Sequence, residues 1–267
     1  MLTIFAVPKP FVGHDAVTQR NAIGTWVRLR PSCRIVLCGQ DEGVAEAASE
    51  FEADYIPSVA VNEFGTPLLS SVFSEVEQGS SDPFLCYVNA DILVLAGFAD
   101  AVERVAAAMD RFLMVGQRWD LDVTEALPLD DPNWDANLRA RTRSAGVVHP
   151  PSGSDYFVFP RGSVGPLPDF AVGRGGWDNW MIAHALGSGV PVVDATESAF
   201  VVHQNHGYDH VKEQSGHAWE GTETSRNRDL IEGEGSRLLT DATHRLTDTG
   251  IRRASRFKAM NRRWKSR

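Results

Sequence analysis

Asn89 and Asp91, one residue apart, stand where an apolar run ends, and that placement suits chemistry on a charged ligand. The preceding residues 84–88 are Phe-Leu-Cys-Tyr-Val, and residues 92–95 resume the apolar character. Such a run fits a strand covered on both faces, and a carboxylate at its carboxyl end lies where open α/β sheets bind ligands. Oxygen ligands suit Mg2+ or Mn2+, and one carboxylate shared with substrate phosphates is a common arrangement. The plainer alternative is that Asp91 accepts amides of a turn. If the strand runs on through the pair, Asn89 and Asp91 point the same way.

Other residues could complete a site. Asp178 stands in Gly173-Arg174-Gly175-Gly176-Trp177-Asp178-Asn179. The glycines let backbone approach a ligand closely, the indole offers a flat apolar face, and the carboxylate can take a proton from an attacking hydroxyl. Equally, Asp178 can be a helix N-cap and Trp177 a core residue. His203, His206 and His210 form a cluster after an apolar run at residues 200–202. Imidazole can complete a metal shell begun by a carboxylate, and His203 is singled out because it follows the run directly. Arg118, beside Trp119 and Asp120, and Asp155, after Gly153 and Ser154, lie at strand ends; the arginine can meet phosphate or form a structural ion pair.

These residues need a scaffold, and the chain supplies alternating strand and helix signals. Residues 2–7 read as a first strand that stops at Pro8, leaving Pro8-Lys9-Pro10 as a rigid loop at its carboxyl end. A helix over 15–29, a strand over 34–38, a short helix over 43–51 and a strand over 53–61 follow. This order implies parallel strands and right-handed crossovers. A helix over 68–77, the strand at 84–94, an amphipathic helix over 98–109 and strands near 112–115, 156–159, 190–194 and 200–202 continue the pattern. The strand at 112–115 runs into residues 116–122, and 130–144 read as polar, helical or irregular. A helix from 179 to 186 would be capped by Asp178 and ended by Gly187 and Gly189. Beyond 212 the chain reads as helix and loop.

The bulk figures set limits. With 267 residues, 43% hydrophobic and 23% charged, this is a globular composition with room for one large core. The formal charge is -9, which argues against nucleic acid as a partner. Eight of the 26 basic residues fall in 252–267, leaving 18 against 35 acidic residues before them. Phe257, Met260 and Trp264 recur there at helical spacing. That pattern fits a solvated or protein-docked helix, or a peripheral contact through 251–267 with an anionic membrane surface. Three cysteines without paired spacing, no signal-peptide pattern and no long apolar window point to a reducing, cytoplasmic setting, with the inner membrane face as the place for such a contact.

Taken in order, these motifs resemble the nucleotide-sugar glycosyltransferases of the GT-A fold. Their short Asp-x-Asp motif binds the metal and the donor diphosphate, and Asn89-Ala90-Asp91 is similar to it with the first acid replaced. The Gly173–Asn179 stretch is similar to the Gly-Trp-Gly-Gly-Glu-Asp type segment of galactosyltransferase-like members, which maps their acceptor-binding general base onto Asp178. A late histidine metal ligand is matched by His203 or His206. The resemblance covers residues 1–210. It implies a Rossmann-like α/β domain over 1–211, with a mostly parallel sheet and helices on both faces, followed by a helical C-terminal extension over 212–267.

It further implies a Mn2+- or Mg2+-assisted, inverting transfer from a UDP- or GDP-linked sugar to a glycan or other hydroxyl acceptor. Asp178 would be the base. Pro8, Lys9, Asn89, Asp91 and Arg118 would face the donor. Asp155, Arg174, Trp177 and Asn179 would face the acceptor, and Asp91, His203 and His206 the metal. A nucleotidyltransferase fits less well, because no Gly-rich, basic loop follows the first strand. A metal-dependent hydrolase built on the three histidines and a non-catalytic nucleotide-sugar or glycan-binding protein are the other readings.

Overall fold

A computed structural model describes residues 1–205 and 220–254. His206, His210 and the Phe257, Met260, Trp264 pattern lie outside the described residues.

The first strand, β1 (Leu2–Ala6), has every residue buried. Its side chains alternate between two cores: Ile4 and Ala6 on one face, Phe5 on the other. Period-two alternation with both sides apolar is what a sheet between two helical layers requires. The chain continues through α1 (Gly13–Trp26), β2 (Arg34–Cys38), α2 (Val44–Glu50), β3 (Asp54–Ile56), α3 (Leu69–Gly79) and β4 (Phe84–Val88). β1 pairs in parallel with β2 and β4, and β2 with β3. Pro57 ends β3 well short of residue 61, as a residue without an N–H must.

At Asn89 the chain leaves this sheet. A turn closed by the Ile92 N–H donating to the Asn89 carbonyl (3.1 Å) leads into β5 (Ile92–Val94), which belongs to a second sheet. The single strand expected over 84–94 is therefore two. After α4 (Phe98–Ala106), β6 (Leu113–Val115) rejoins the large sheet, and β7 (Trp119–Leu121) the small one. α5 (Trp134–Ala145), β8 (Val147–Val148) and β9 (Tyr156–Pro160) follow. Then come α6 (Trp177–Gly187), β10 (Val192–Asp194), β11 (Val201–Gln204), α7 (Thr222–Ile231), β12 (His244–Thr247) and β13 (Gly250–Arg253).

The large sheet runs β13-β12-β10-β6-β9-β4-β1-β2-β3, and the small one β5-β11-β7-β8. The large sheet is mostly parallel, with β9 antiparallel to both β4 and β6. Residues of α1, α2 and α4 share one core with the inner faces of the strands, and α3 and α6 share the other. A cluster of Phe5, Phe73, Tyr87 and Phe159, with ring centroids 5.0 to 5.7 Å apart, anchors the second core.

The C-terminal helical extension is corrected in its described part. Only α7 is helical over several turns. β12 pairs in parallel with β10, and β13 forms a hairpin on β12, so this stretch extends the main sheet. Leu246 alternates inward to full burial, which gives the hairpin its inner face. Among the described residues no helix is long and apolar enough to cross a membrane.

Candidate functional site

The site forms at the carboxyl edge of the parallel strands, and the register of the small sheet assembles its centre. β11 lies between β5 and β7, with His203 opposite Ile92 on one side and opposite Asp120 on the other. Asp91 immediately precedes β5. His203 Nε2 is therefore 3.6 Å from Asp91 Oδ2, and Nδ1 is 3.4 Å from Asp120 Oδ1. Burial alone would favour the neutral ring, but the carboxylates of Asp120 and Asp91 outweigh it and raise the pKa to about 9. Asp120 is held well below the usual carboxylate range: burial opposes this, and His203, His149 and Arg118 override it.

Arg118 is the hub of the next layer. Its Nε donates to Asp120 Oδ1 (2.9 Å) and its Nη1 pairs with Asp155. Asp155 reaches this edge because β9 runs opposite to β4: Val88 faces Tyr156, so the residue before β9 meets the residue after β4. The Asn89 N–H donates to the Asp155 carbonyl (2.9 Å), and Asn89 Nδ2 donates to Asp155 Oδ1 (2.8 Å). Asn89 and Asp91 thus serve different partners, contrary to the expectation that they point the same way. The turn between them turns Asn89 to Asp155 and Asp91 to His203.

The backbone of Asp91 is fixed from behind by Gln204, which is fully buried. Gln204 Nε2 donates to the carbonyls of Asp91 (3.0 Å) and Thr18 (2.8 Å), and Asn21 Nδ2 donates to Gln204 Oε1 (3.0 Å). α1 therefore carries a polar face, with Thr18, Gln19 and Asn21 all buried. Gln19 clamps the loop after β1 in the same way: the Lys9 N–H donates to its Oε1 (2.6 Å), and its Nε2 donates to the Lys9 carbonyl (3.0 Å). Pro8 is buried beside it, and the Lys9 ammonium lies 3.9 Å from Asp15.

Asp178 lies in the first turn of α6. The helix begins at Trp177 and its N-cap is Gly176, so Asp178 is inside the helix and does not cap it. The Ser154 N–H, next to Asp155, donates to Asp178 Oδ2 at 3.4 Å. Burial raises the Asp178 pKa to about 6 against the backbone N–H donors of Asn179 and Ser154, and Asp155 adds to the rise. Asn179 is turned to the same loop, its Nδ2 donating to the Ser152 carbonyl at 3.2 Å.

Two expected acceptor residues are engaged elsewhere. Trp177 is 6% exposed and packs edge-on against Tyr87 at 5.1 Å and tilted against Phe157 at 5.1 Å. Arg174 pairs with Glu223 of α7, its Nη2 2.6 Å from Oε2. Conversely, the sequence reading missed Asp120 as a site residue, and His149, whose Nδ1 is 2.7 Å from Asp120 Oδ2. Asp120 stands beside Arg118 and Trp119 in the sequence, but only the pairing of β7 with β11 shows that it meets His203. Nothing in the sequence around His149 sets it apart.

The donor set is oxygen-rich with one imidazole, which suits Mn2+ or Mg2+. Among the described residues no three His, Cys, Asp or Glu side chains form a complete shell.

No protein-family model matches the chain, and no curated protein matches it by sequence. Solved structures do match in shape. Glucosyl-3-phosphoglycerate synthase from Mycobacterium tuberculosis aligns with a TM-score of 0.52 at 14% identity, covering 88% of this chain and 80% of that one. A structure of that synthase with Mg2+ and uridine diphosphate aligns at 0.51 and 10% identity, with 88% and 79% covered. One with phosphoglyceric acid aligns at 0.52 and 11%, again with 88% and 79% covered. This likeness in shape shows that the chain shares the GT-A fold of that synthase.

Proposed function

We propose that the protein is a glycosyltransferase that moves a sugar from a UDP- or GDP-linked donor to a hydroxyl acceptor. The observation that carries this reading is the meeting of Asp91, His203 and Asp120 at the carboxyl edge of a GT-A sheet, with a near-neutral carboxyl, Asp178, on the same edge.

Asp91 and His203 would hold the divalent cation, the imidazole releasing the proton it shares with Asp91 and Asp120 as the metal binds, and His206, outside the described residues, is the candidate for a further ligand. When bound, Mn2+ or Mg2+ supplies positive charge to the departing diphosphate. Asn89, Arg118 and the Pro8-Lys9 loop face the donor. Arg118, already neutralised by Asp120 and Asp155, acts mainly by fixing those two carboxylates. Asn179, beside Asp178, stays on the acceptor side; Trp177 belongs to the core, Arg174 to Glu223, and both carboxylate oxygens of the buried Asp155 are engaged by Asn89 and Arg118.

The acceptor oxygen attacks the anomeric carbon while its proton passes to the Asp178 carboxylate. The bond from that carbon to the diphosphate oxygen breaks, and the electron pair leaves with the nucleoside diphosphate. Attack from the opposite face inverts the anomeric centre. With a pKa near 6, Asp178 is mostly ionised at pH 7.5 yet basic enough to share a proton.

The test is Asp178→Asn assayed with a panel of nucleotide sugars and Mn2+. Loss of a general base costs about 10²- to 10⁴-fold in transfer, while calorimetric donor binding persists. Unchanged turnover, or a product whose anomeric proton shows retention, removes Asp178 from that role. If the unmodified protein binds no nucleotide sugar, the glycosyltransferase reading itself falls.

A further inference from the structure

The side of α7 that faces the protein is polar. Its buried residues are Glu223, Thr224 and Asn227. A surface helix normally docks through an apolar stripe, so this helix is held largely by specific polar contacts, some to the segment before α6 and others, such as those of Asn62 and Glu63, to the 62–66 loop. Glu223, 2% exposed, accepts from Arg174 Nε (3.0 Å), Arg174 Nη2 (2.6 Å) and Asn62 Nδ2 (2.6 Å). Asn227, 1% exposed, accepts from the Ala171 N–H (2.9 Å) and donates to the Ala171 carbonyl (3.2 Å) and the Arg174 carbonyl (3.4 Å). Further along α7, Ile231 sits against Gly176: a Cβ there would be 2.6 Å from Ile231 Cδ1.

The segment so gripped needs it. Gly173 and Gly176 both have positive φ, 72° and 102°, and Gly175 lies between them. Glycines leave such a loop many conformations, and it leads directly into the turn bearing Asp178. Glu223 fixes the side chain of Arg174 and Asn227 its backbone, from opposite ends of one helical turn. Asn62 ties in the neighbouring loop, since its Oδ1 also accepts from the Phe64 N–H (2.9 Å) and the Thr66 N–H (3.0 Å).

We infer that Glu223 and Asn227 are positioning residues: through Arg174 and Ala171 they hold residues 171–176 so that Asp178 is presented to the acceptor. The part of this that concerns the acceptor rests on the glycosyltransferase reading; the grip on the segment does not. The cost of a loosened grip falls on acceptor transfer, because the donor-side residues Asp91, His203, Asp120 and Arg118 are held by the small sheet and by Gln204.

Two measurements on the full chain separate these parts. Amide hydrogen exchange of Glu223→Ala and Asn227→Ala is expected to speed up at least tenfold in 171–179 and to stay unchanged in 84–94. Equal exchange in 171–179 overturns the inference whatever the protein catalyses. For donors that bind, the fraction of donor turnover going to acceptor, as against water, is expected to drop at least tenfold in both variants. Donor affinity with Mn2+ should stay within twofold, and Glu223→Gln, which keeps one of the two accepting oxygens, should restore part of the transfer. A parallel loss of donor binding and transfer, with no rescue, makes the two residues merely structural. Absence of nucleotide-sugar binding in the unmodified protein, with the exchange effect intact, overturns the acceptor role and leaves the grip.

Discussion

The buried carboxyl of Asp178 weakens the fold that carries it. Its pKa rises from an ordinary 3.8 to about 6 because burial outweighs the backbone N–H donors around it. Below pH 4 the group is neutral in both the folded and the unfolded chain, and it costs nothing. As pH rises through 6, the unfolded chain is already ionised and the folded one must follow, so this stabilising proton is lost. A two-unit shift corresponds to about 3 kcal/mol, and partial solvent contact lowers that to about 1–3 kcal/mol. Asp178→Asn should therefore be more stable than the parent at pH 7.5 by that amount, with the gap closing near pH 4, as read from urea unfolding at both values. A gap independent of pH, or a less stable variant, would show that the carboxyl is not strained by burial. The residue itself was legible because an acid beside glycines and an indole is a compact local pattern. Its environment was not, since the rise comes from burial, with Asp155 adding to it and the Ser154 N–H opposing it, and both of those residues precede β9, more than twenty positions earlier in the chain.

The start of α6 depends on one glycine for two separate reasons. Gly176 is the N-cap at φ 102°, a conformation that side chains resist, and Ile231 of α7 occupies the space a Cβ would need. Gly176→Ala should cost about 1–3 kcal/mol from backbone strain, plus the clash. Adding Ile231→Ala should return only the clash part, so the double variant should melt between the single variant and the parent once the loss from Ile231→Ala alone is subtracted. Full recovery would mean that backbone conformation contributes nothing there. Elements of this kind were unevenly readable. β1, β2 and β4 stand out as five-residue runs of mostly buried residues. β7 is three residues with a charged centre, Trp119-Asp120-Leu121, and passes for loop by composition; it is a strand only because β11 and β8 pair with it. Missing β7 meant missing Asp120 and His149. Reading β4 and β5 as one strand came from their continuous apolar character, which the Asn89-Ala90-Asp91 turn interrupts without a glycine or proline to mark it.

At the scale of the whole molecule, alternation of strands and helices made the parallel sheet readable, while the reversal of β9 between β4 and β6 was not, because an antiparallel insertion has no composition of its own. That reversal brings Asp155 to the site, where among the described residues the carboxylates of Asp91, Asp120 and Asp155 pair with Arg118, His203 and His149, and Asp178 lies beside them. The chain around it carries 35 acidic against 26 basic residues. On the proposed reading, a nucleoside diphosphate approaching these carboxylates gains from a cation that comes with it, and the cation gains ligands from the diphosphate. Binding should therefore be mutual, and it can be read from thermal stability. A ligand at 100 times its Kd stabilises the fold by about 2.7 kcal/mol, and each kcal/mol moves the Tm of a chain of this size by about 2–4 °C. UDP or GDP together with Mn2+ should thus raise the Tm by roughly 5–10 °C, well beyond the sum of the shifts from either alone, and Asp91→Ala should remove the excess. A shift from Mn2+ alone as large as the combined one would point to a metal site complete in the protein, and strictly additive shifts would separate the metal from the nucleotide.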